Sequence, residues 1–455
     1  MLQLSTIRDK IKIGEIFYIK EQRTTLMKTN IIEKSYAEVM AMPKRQQYKP
    51  IKPNIFWRTL LKLVSLPSLL RTDFKCEKIG MERLGKKEPA LFLMNHSGFI
   101  DMEIIVSILY PRVFNIVTTS DAFVGMDWLL RQIGCVPTNK YTSDPNLVRN
   151  MMRITRKMNS SVVLYPEACY SFDGTATTIG DSTGKLIKLL KVPVVMVLTH
   201  GAFHHTPLYN NLIVRKNKIS ATMTYLLSPE DIERMSTEEI DAIIQEQFSF
   251  DNFKWQKDNK IVEDHPRRAE QLNRVLYKCP HCKAEGKTIG EGTTLTCRAC
   301  GKVYNMDEYG QLHAEDGVTE FSHIPDWYRW ERECVREEIE RGEYLLDCDV
   351  DIVMARDIDK MYHVGEGHLL HNIDGFVLDG CDGQLHYEHK PLCSHTINAD
   401  FFWYERGDIV GIGNADYLYY LFPKVEGDLV AKTRLAAEEI YKLRKGDKSA
   451  ECGCK

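Results

Sequence analysis

Apolar residues recur along this chain in two rhythms. From about residue 89, short apolar runs ("ALFLM", "VFNIVTT", "SVVLYP", "VPVVMVL", "KISATMTY") alternate with stretches of helical period at 101–109, 144–158 and 181–190. Strand and helix in alternation predict an α/β layer around a largely parallel sheet. From residue 344 the pattern changes to many short strands separated by Gly, Asp and Asn turns, with one helix, "LVAKTRLAAEEIYKLRK", at the end. Residues 344–445 are therefore expected to form a β-rich domain. Between the two lie a helical connector over 229–275, where Ser236 and Glu239 form a capping box, and an amphipathic helix within 311–343 that carries Trp327 and Trp330.

Ahead of the α/β pattern, "NIFWRTLLKLVSLPSLLRT" (54–72) has helical spacing broken by Arg58, Lys62 and Pro67. It is too polar to span a bilayer but suits its interface. Charge sharpens this reading. Residues 1–90 hold 19 Lys/Arg against 9 Asp/Glu, and the remainder 41 against 54, so a net charge of −3 conceals a basic amino-terminal fifth. A basic segment beside an apolar helix predicts contact with an anionic membrane surface. Residues 1–53, with runs such as "MPKRQQYKPIKP", are expected to be partly disordered. No other segment nears eighteen uninterrupted apolar residues, and the first thirty lack a secretory core and cleavage site. The expected location is cytoplasmic, peripheral on the inner face of the cell membrane. Thirteen cysteines, nine of them scattered or in the tail, imply no disulfide framework.

The first candidate for chemistry is "LFLMNHSGFIDME" (91–103), an apolar strand that ends at Asn95 and His96, with Asp101 five positions after the histidine. A carboxylate that orients an imidazole lets it take a proton from an alcohol attacking an activated acyl carbon. In a parallel sheet, ligands sit beyond the carboxyl ends of the strands, where both His96 and the later "YPEACYSFDG" fall.

These residues resemble the glycerolipid acyltransferase family. Its first motif, Asn-His followed by four residues and Asp, is matched by Asn95, His96 and Asp101; its third, Phe-Pro-Glu-Gly-Thr-Arg-Ser, by Tyr165-Pro166-Glu167-Ala168-Cys169-Tyr170-Ser171. The second is matched loosely by Gly134 to Lys140, and the fourth by "VPVVMV", with Met196 in place of a second Pro. The resemblance implies an acyltransferase domain over 54–228 that moves a fatty acyl group from acyl-CoA or acyl carrier protein to a lysophospholipid hydroxyl, with lysophosphatidic acid expected, in phospholipid biosynthesis. It implies His96 as general base, Asp101 as its partner, Glu167 and Asn95 at the acceptor, and the backbone near Gly98 at the thioester oxygen. The family's two phosphate-holding arginines are replaced here by Lys140 and Tyr170. An arginine fork grips phosphate at two points, whereas lysine is a point charge and tyrosine one hydroxyl. The competing reading is a catalytically silent scaffold that binds lipid or a partner.

The second candidate is "CPHCKAEGKTIGEGTTLTCRACGK", in which Cys279 and Cys282 precede Cys297 and Cys300 by fourteen residues. Two such knuckles predict a zinc ribbon over 276–310 whose four thiolates close the coordination sphere, so the zinc would be structural. No redox cofactor is expected, and nucleic acid is not an expected partner. The β-rich domain resembles a pleckstrin-homology-like module on topology alone. Histidines between 363 and 395 lie on different strands without ligand spacing and are expected at turns or on the surface.

Overall fold

The computed structural model describes residues 31–43, 48–142, 144–180, 182–356, 360–425, 427 and 429–452. Three sheets organise it. A short strand, β1 (Ile31–Glu33), and helix α1 (Tyr36–Ala41) come first, followed by α2 (Ile55–Arg71) and the seven-stranded sheet of the amino-terminal half. Its strands are β2 (Lys75–Ile79), β3 (Leu91–Met94), β4 (Phe114–Thr119), β5 (Cys135–Thr138), β6 (Ser161–Leu164), β7 (Val194–His200) and β8 (Ser220–Leu227), in the order β2-β8-β7-β3-β6-β4-β5. Every pair is parallel except β7 with β8. All five apolar runs became strands, and β3, at the centre, is buried along its whole length, as a strand covered on both faces must be. Strand β5 left little signal in the sequence. It is short and contains Pro137, which the ladder tolerates because β5 is an edge.

Helix α2 begins at Asn54, whose side chain accepts from the Trp57 amide, and packs on α3 (Ile100–Leu109). Arg58 and Lys62 turn back onto the protein, Arg58 to the Pro111 carbonyl and Lys62 to that of Ser107 at 3.3 Å. The stripe Phe56, Leu63 and Leu70 stays outside, with Leu70 78% exposed. No helix among the described residues is long and apolar enough to cross a membrane.

The second sheet is small and antiparallel: β9 (Thr288–Glu291), β10 (Thr294–Cys297), β11 (Val303–Met306) and β12 (Leu312–Ala314). It runs slightly past the expected boundary at 310. The third holds β13 (Leu346–Ala355), β14 (Met361–Asn372), β15 (Gly375–Gly380), β16 (Leu385–His389), β17 (Asn398–Trp403), β18 (Gly407–Gly413) and β19 (Leu418–Pro423), in the order β16-β15-β14-β13-β19-β18-β17. Two antiparallel meanders thus meet where β13 pairs with β19. Helix α4 (Ile324–Glu340) and the final helix α5 (Leu429–Cys452) lie side by side, joined by a buried ionic seam in which Arg332 meets Glu438 at 2.7 Å and Glu439 at 3.0 Å.

Two expectations change. Part of the segment 1–53 is ordered: β1 adds to the third sheet in parallel with β14, from Ile31 opposite Met361 to Glu33 opposite His363. Residues 1–30 and 44–47 lie outside the described residues. The histidines between 363 and 395 are not all on the surface either. His363, His368 and His386 face solvent beside carboxylates, but His371 is buried, stacked on Phe376 with 3.6 Å between ring centroids and bonded to the Tyr344 hydroxyl at 3.0 Å. A neutral imidazole packs as an aromatic ring once its nitrogens are satisfied.

Candidate functional site

The carboxyl ends of β3, β4, β5 and β6 open on one side of the first sheet and deliver His96, Asp121, Lys140 and Tyr165–Tyr170. At the end of β3 the chain turns into α3, and this turn holds the imidazole. Asp101, fully buried in the first turn of α3, receives the Ser97 amide at 2.7 Å and the Gly98 amide at 3.0 Å on the same Oδ2 that lies 3.0 Å from His96 Nδ1. The carboxylate therefore accepts from Nδ1–H, and Nε2 keeps its lone pair. Gly98 leaves little room for a side chain: a Cβ there would meet Thr206 Oγ1 at 2.3 Å and force that hydroxyl to move. Its amide, expected near the thioester oxygen, is instead bonded to Asp101.

The ring sits between two tyrosines: Tyr165 stacks on it at 4.1 Å and 25°, and Tyr170 lies tilted at 4.3 Å and 50°. The His96 side chain is 24% exposed. Burial lowers its pKa, and the Asp101 carboxylate only partly opposes the shift. The imidazole is therefore neutral near pH 7, the form a general base requires.

Two residues expected at the acceptor are bonded to the protein around His96. Glu167 is fully buried, with Oε1 accepting the His96 amide at 2.8 Å and Oε2 accepting the Thr177 amide and hydroxyl, each at 2.9 Å. Burial raises its carboxyl pKa to about 7 against these bonds. Asn95, also fully buried, pairs with the Thr199 backbone at 3.0 Å and 2.7 Å and so ties the end of β3 to β7. A carboxylate or amide bonded in this way to backbone amides, carbonyls and hydroxyls helps fix where His96 stands. Thr177 completes this scaffold, and nothing in the sequence marks it.

Lys140 and Tyr170 do reach the crevice, and there they meet the third sheet. Lys140 Nζ donates to Asn398 Oδ1 at 3.3 Å, Phe401 stacks on Phe172 at 4.4 Å, and Trp403 Nε1 donates to Asp121 Oδ2 at 3.2 Å. Asn139 reaches the Asn414 carbonyl at 3.0 Å. Strand β17 thus forms a wall of the crevice, built from residues some three hundred positions from His96 and without a motif to announce them.

The second cluster lies apart from the crevice. Cys279 and Cys282 sit on one turn and Cys297 and Cys300 on another, each closed by backbone bonds: Lys283 N to Cys279 O at 2.9 Å, and Gly301 N to Cys297 O at 2.8 Å. The four sulfurs lie within 4.8 Å of one another, with Cys279–Cys300 at 3.9 Å and Cys282–Cys297 at 3.7 Å. A tetrahedron of ~2.3 Å metal–sulfur bonds has edges of about 3.8 Å, so the donor set fits a metal ion.

Comparison with known proteins agrees with the first sheet. Residues 75–199 match the family model described as Acyltransferase. No curated protein matches the chain. Among solved structures, the 1-acyl-sn-glycerophosphate (LPA) acyltransferase PlsC from Thermotoga maritima aligns with 42% of this chain and 76% of its own, at 16% identity and a TM-score of 0.35. The family model spans the segments that carry His96, Asp101, Lys140 and Glu167 and stops before the ribbon and the third sheet. Over residues 75–199, therefore, this chain carries a domain that matches the Acyltransferase family model.

Proposed function

We propose that this protein transfers a fatty acyl group from an acyl thioester, acyl-CoA or acyl carrier protein, to the hydroxyl of a lysophospholipid in phospholipid biosynthesis. The observation that carries the reading is the His96–Asp101 pair, with Nδ1 bonded to the buried carboxylate at 3.0 Å and Nε2 without a hydrogen-bond partner among the described residues. The acceptor oxygen attacks the thioester carbonyl carbon as its proton passes to Nε2. Asp101 steadies the imidazolium, whose charge is costly in so buried a place. When the tetrahedral adduct collapses, the C–S bond breaks and the departing thiolate takes the proton back, leaving an ester and a free thiol. Lysophosphatidic acid is the simplest acceptor of this class, and Lys140, whose charge reaches His96, is the cation for its phosphate.

Four thiolates at tetrahedral spacing support zinc as the metal and, with no position left for water, a structural role for it. The exposed stripe of α2 supports peripheral contact with an anionic membrane at the inner face of the cell membrane, bringing the crevice to lipid. The strand order of the third sheet, with its closing helix, supports a pleckstrin-homology-like reading of that domain. The scaffold alternative is disfavoured by the intact pairing of His96, Asp101 and Glu167. The deciding experiment incubates pure protein with acyl-CoA and a panel of lyso-acceptors and reads lipid products by mass spectrometry. A new diacyl lipid that a folded His96→Ala protein does not make supports the proposal, and equal product from that variant overturns it.

A further inference from the structure

The wall contributed by β17 brings a further carboxylate to the carboxyl ends of the first sheet. Asp400 stands on β17, partly exposed, two residues from the Asn398 that receives Lys140. Among the described residues its carboxylate takes a backbone bond from Phe401 and no side-chain hydrogen bond. Burial raises its carboxyl pKa to about 7; Lys140 opposes the rise, Asp121 and more weakly Asp408 add to it, and a bound cation would favour the ionised form. Asp121, at the end of β4, is held by Thr119 and Trp403. Tyr170 lies 4.3 Å from the His96 ring and Tyr404 lies edge-on to Trp403 at 4.8 Å, and both rings feel the Asp400 and Asp121 carboxylates. Both rings are partly exposed.

A phosphomonoester carrying close to two negative charges would gain one lysine here and face two carboxylates. A phosphodiester that ends in an ammonium group meets the site differently. Its single negative charge has Lys140, and its cation has Asp400, with Asp121 behind it and the faces of Tyr170 and Tyr404 beside it. An uncharged head group would offer neither the acids nor the lysine a charge to pair with.

We infer that the third sheet completes the acceptor site and selects a zwitterionic lysophospholipid, with Lys140 taking the head-group phosphate and Asp400 its ammonium. The inference rests on the acyltransferase reading and narrows it. Asp400 is then a specificity-determining residue supplied from outside the family domain.

The test compares kcat/KM of the full chain, with acyl-CoA as donor, for lysophosphatidylethanolamine, lysophosphatidic acid and a monoacylglycerol, in the parent and in Asp400→Asn. The parent is expected to favour the zwitterion over the other two by at least tenfold. Asp400→Asn, close in shape to the original and checked by circular dichroism, is expected to lose that preference by about tenfold, with use of lysophosphatidic acid unchanged or improved. A Lys140→Met protein is expected to lose both phosphate-bearing acceptors but not the monoacylglycerol. Lysophosphatidic acid or monoacylglycerol as the preferred acceptor, or a preference that Asp400→Asn leaves intact, overturns the inference while the acyltransferase reading stands. Transfer to none of the three by folded protein overturns both.

Discussion

The cysteine cluster and the crevice are both groups of polar side chains held by tight turns, yet they are assembled over different reaches of the chain. All four cysteines fall within residues 279–300, on two turns and one strand end, so their spacing alone nearly defines a tetrahedron. The crevice takes its base from the end of β3, its braces from 167 and 177, its cation from the end of β5 and its far wall from β17. Locality decides what a sequence reveals. Where one turn supplies a whole site the residue pattern is the site, and where five segments meet each segment shows only its share.

The largest effect is expected at the cysteines. Purified protein should hold one zinc per chain, and Cys297→Ser should lose it. Metal binding in such clusters is worth on the order of 10 kcal/mol and is coupled to folding, so the second sheet should open first. The second sheet is tied to both long helices: Trp327 of α4 donates to the Lys278 carbonyl at 3.0 Å, and Lys432 of α5 pairs with Glu285 at 2.7 Å. Metal loss should therefore loosen the α4–α5 pair as well, readable as faster amide exchange along both helices. Zinc-free protein with unchanged exchange would separate the cluster from the fold.

In the crevice the corresponding change is smaller and purely chemical. His96→Ala should lower turnover by about 10²–10⁴, the usual worth of a positioned base, while leaving the thermal midpoint nearly unchanged. The same residue sets the acidic limb of the pH profile. Because burial lowers its pKa, His96 stays unprotonated to below the usual histidine value near 6.5, and activity should be lost only as pH falls through that lowered value. A limb centred above 6.5 that vanishes in no His96 variant would assign the titration elsewhere.

How far the crevice could be read in advance follows from the same contrast. His96 and Asp101 are five residues apart on one strand-to-helix turn, and their pairing was legible because that turn has few ways to close. Glu167 and Asn95 were legible as members of the site but not in their bonding, since a motif shows that a residue stands near the chemistry without showing which way its oxygen points. Asp400 was illegible: nothing in "INADFFWYE" distinguishes it from any acid on a β-strand. The fold divides likewise. The buried parallel strands announced themselves by continuous apolar runs, whereas β1 and β5, short and at edges, did not.

Lys140 is where the two halves of the crevice meet. Removing it should cost a charge-assisted contact of about 1.5–3 kcal/mol, roughly tenfold to a hundredfold in kcat/KM for any phosphate-bearing acceptor. A neutral acceptor should be affected far less. Equal losses across charged and neutral acceptors would mean that Lys140 only anchors Asn398 and that the wall moves when it goes.

The smallest effect expected is the most informative about how the wall and the base cooperate, and it lies at Tyr170. This ring covers one side of His96 at 4.3 Å and approaches Phe99 at 6.1 Å, and it lies in the fields of Asp101, Asp400 and Asp121. Tyr170→Phe removes only the hydroxyl, keeps the packing and should change kcat/KM by no more than a few-fold. Tyr170→Arg restores the cation that the family carries at this position. Placed among three carboxylates, the guanidinium would be captured by Asp400 or Asp121 rather than left free for substrate, because a charge-assisted fork to a nearby carboxylate is favourable where water is scarce. It would then take the place of the acceptor's own cation. Transfer to a zwitterionic acceptor should fall about tenfold, near 1.4 kcal/mol, while transfer to lysophosphatidic acid should hold or rise. The rise requires the new charge to outlast its capture by the acids, so it should be larger in Tyr170→Arg combined with Asp400→Asn than in either alone. If the double variant shows only the sum of the two single effects, Tyr170 and Asp400 do not share a ligand, and the wall would be a support for the crevice rather than part of it.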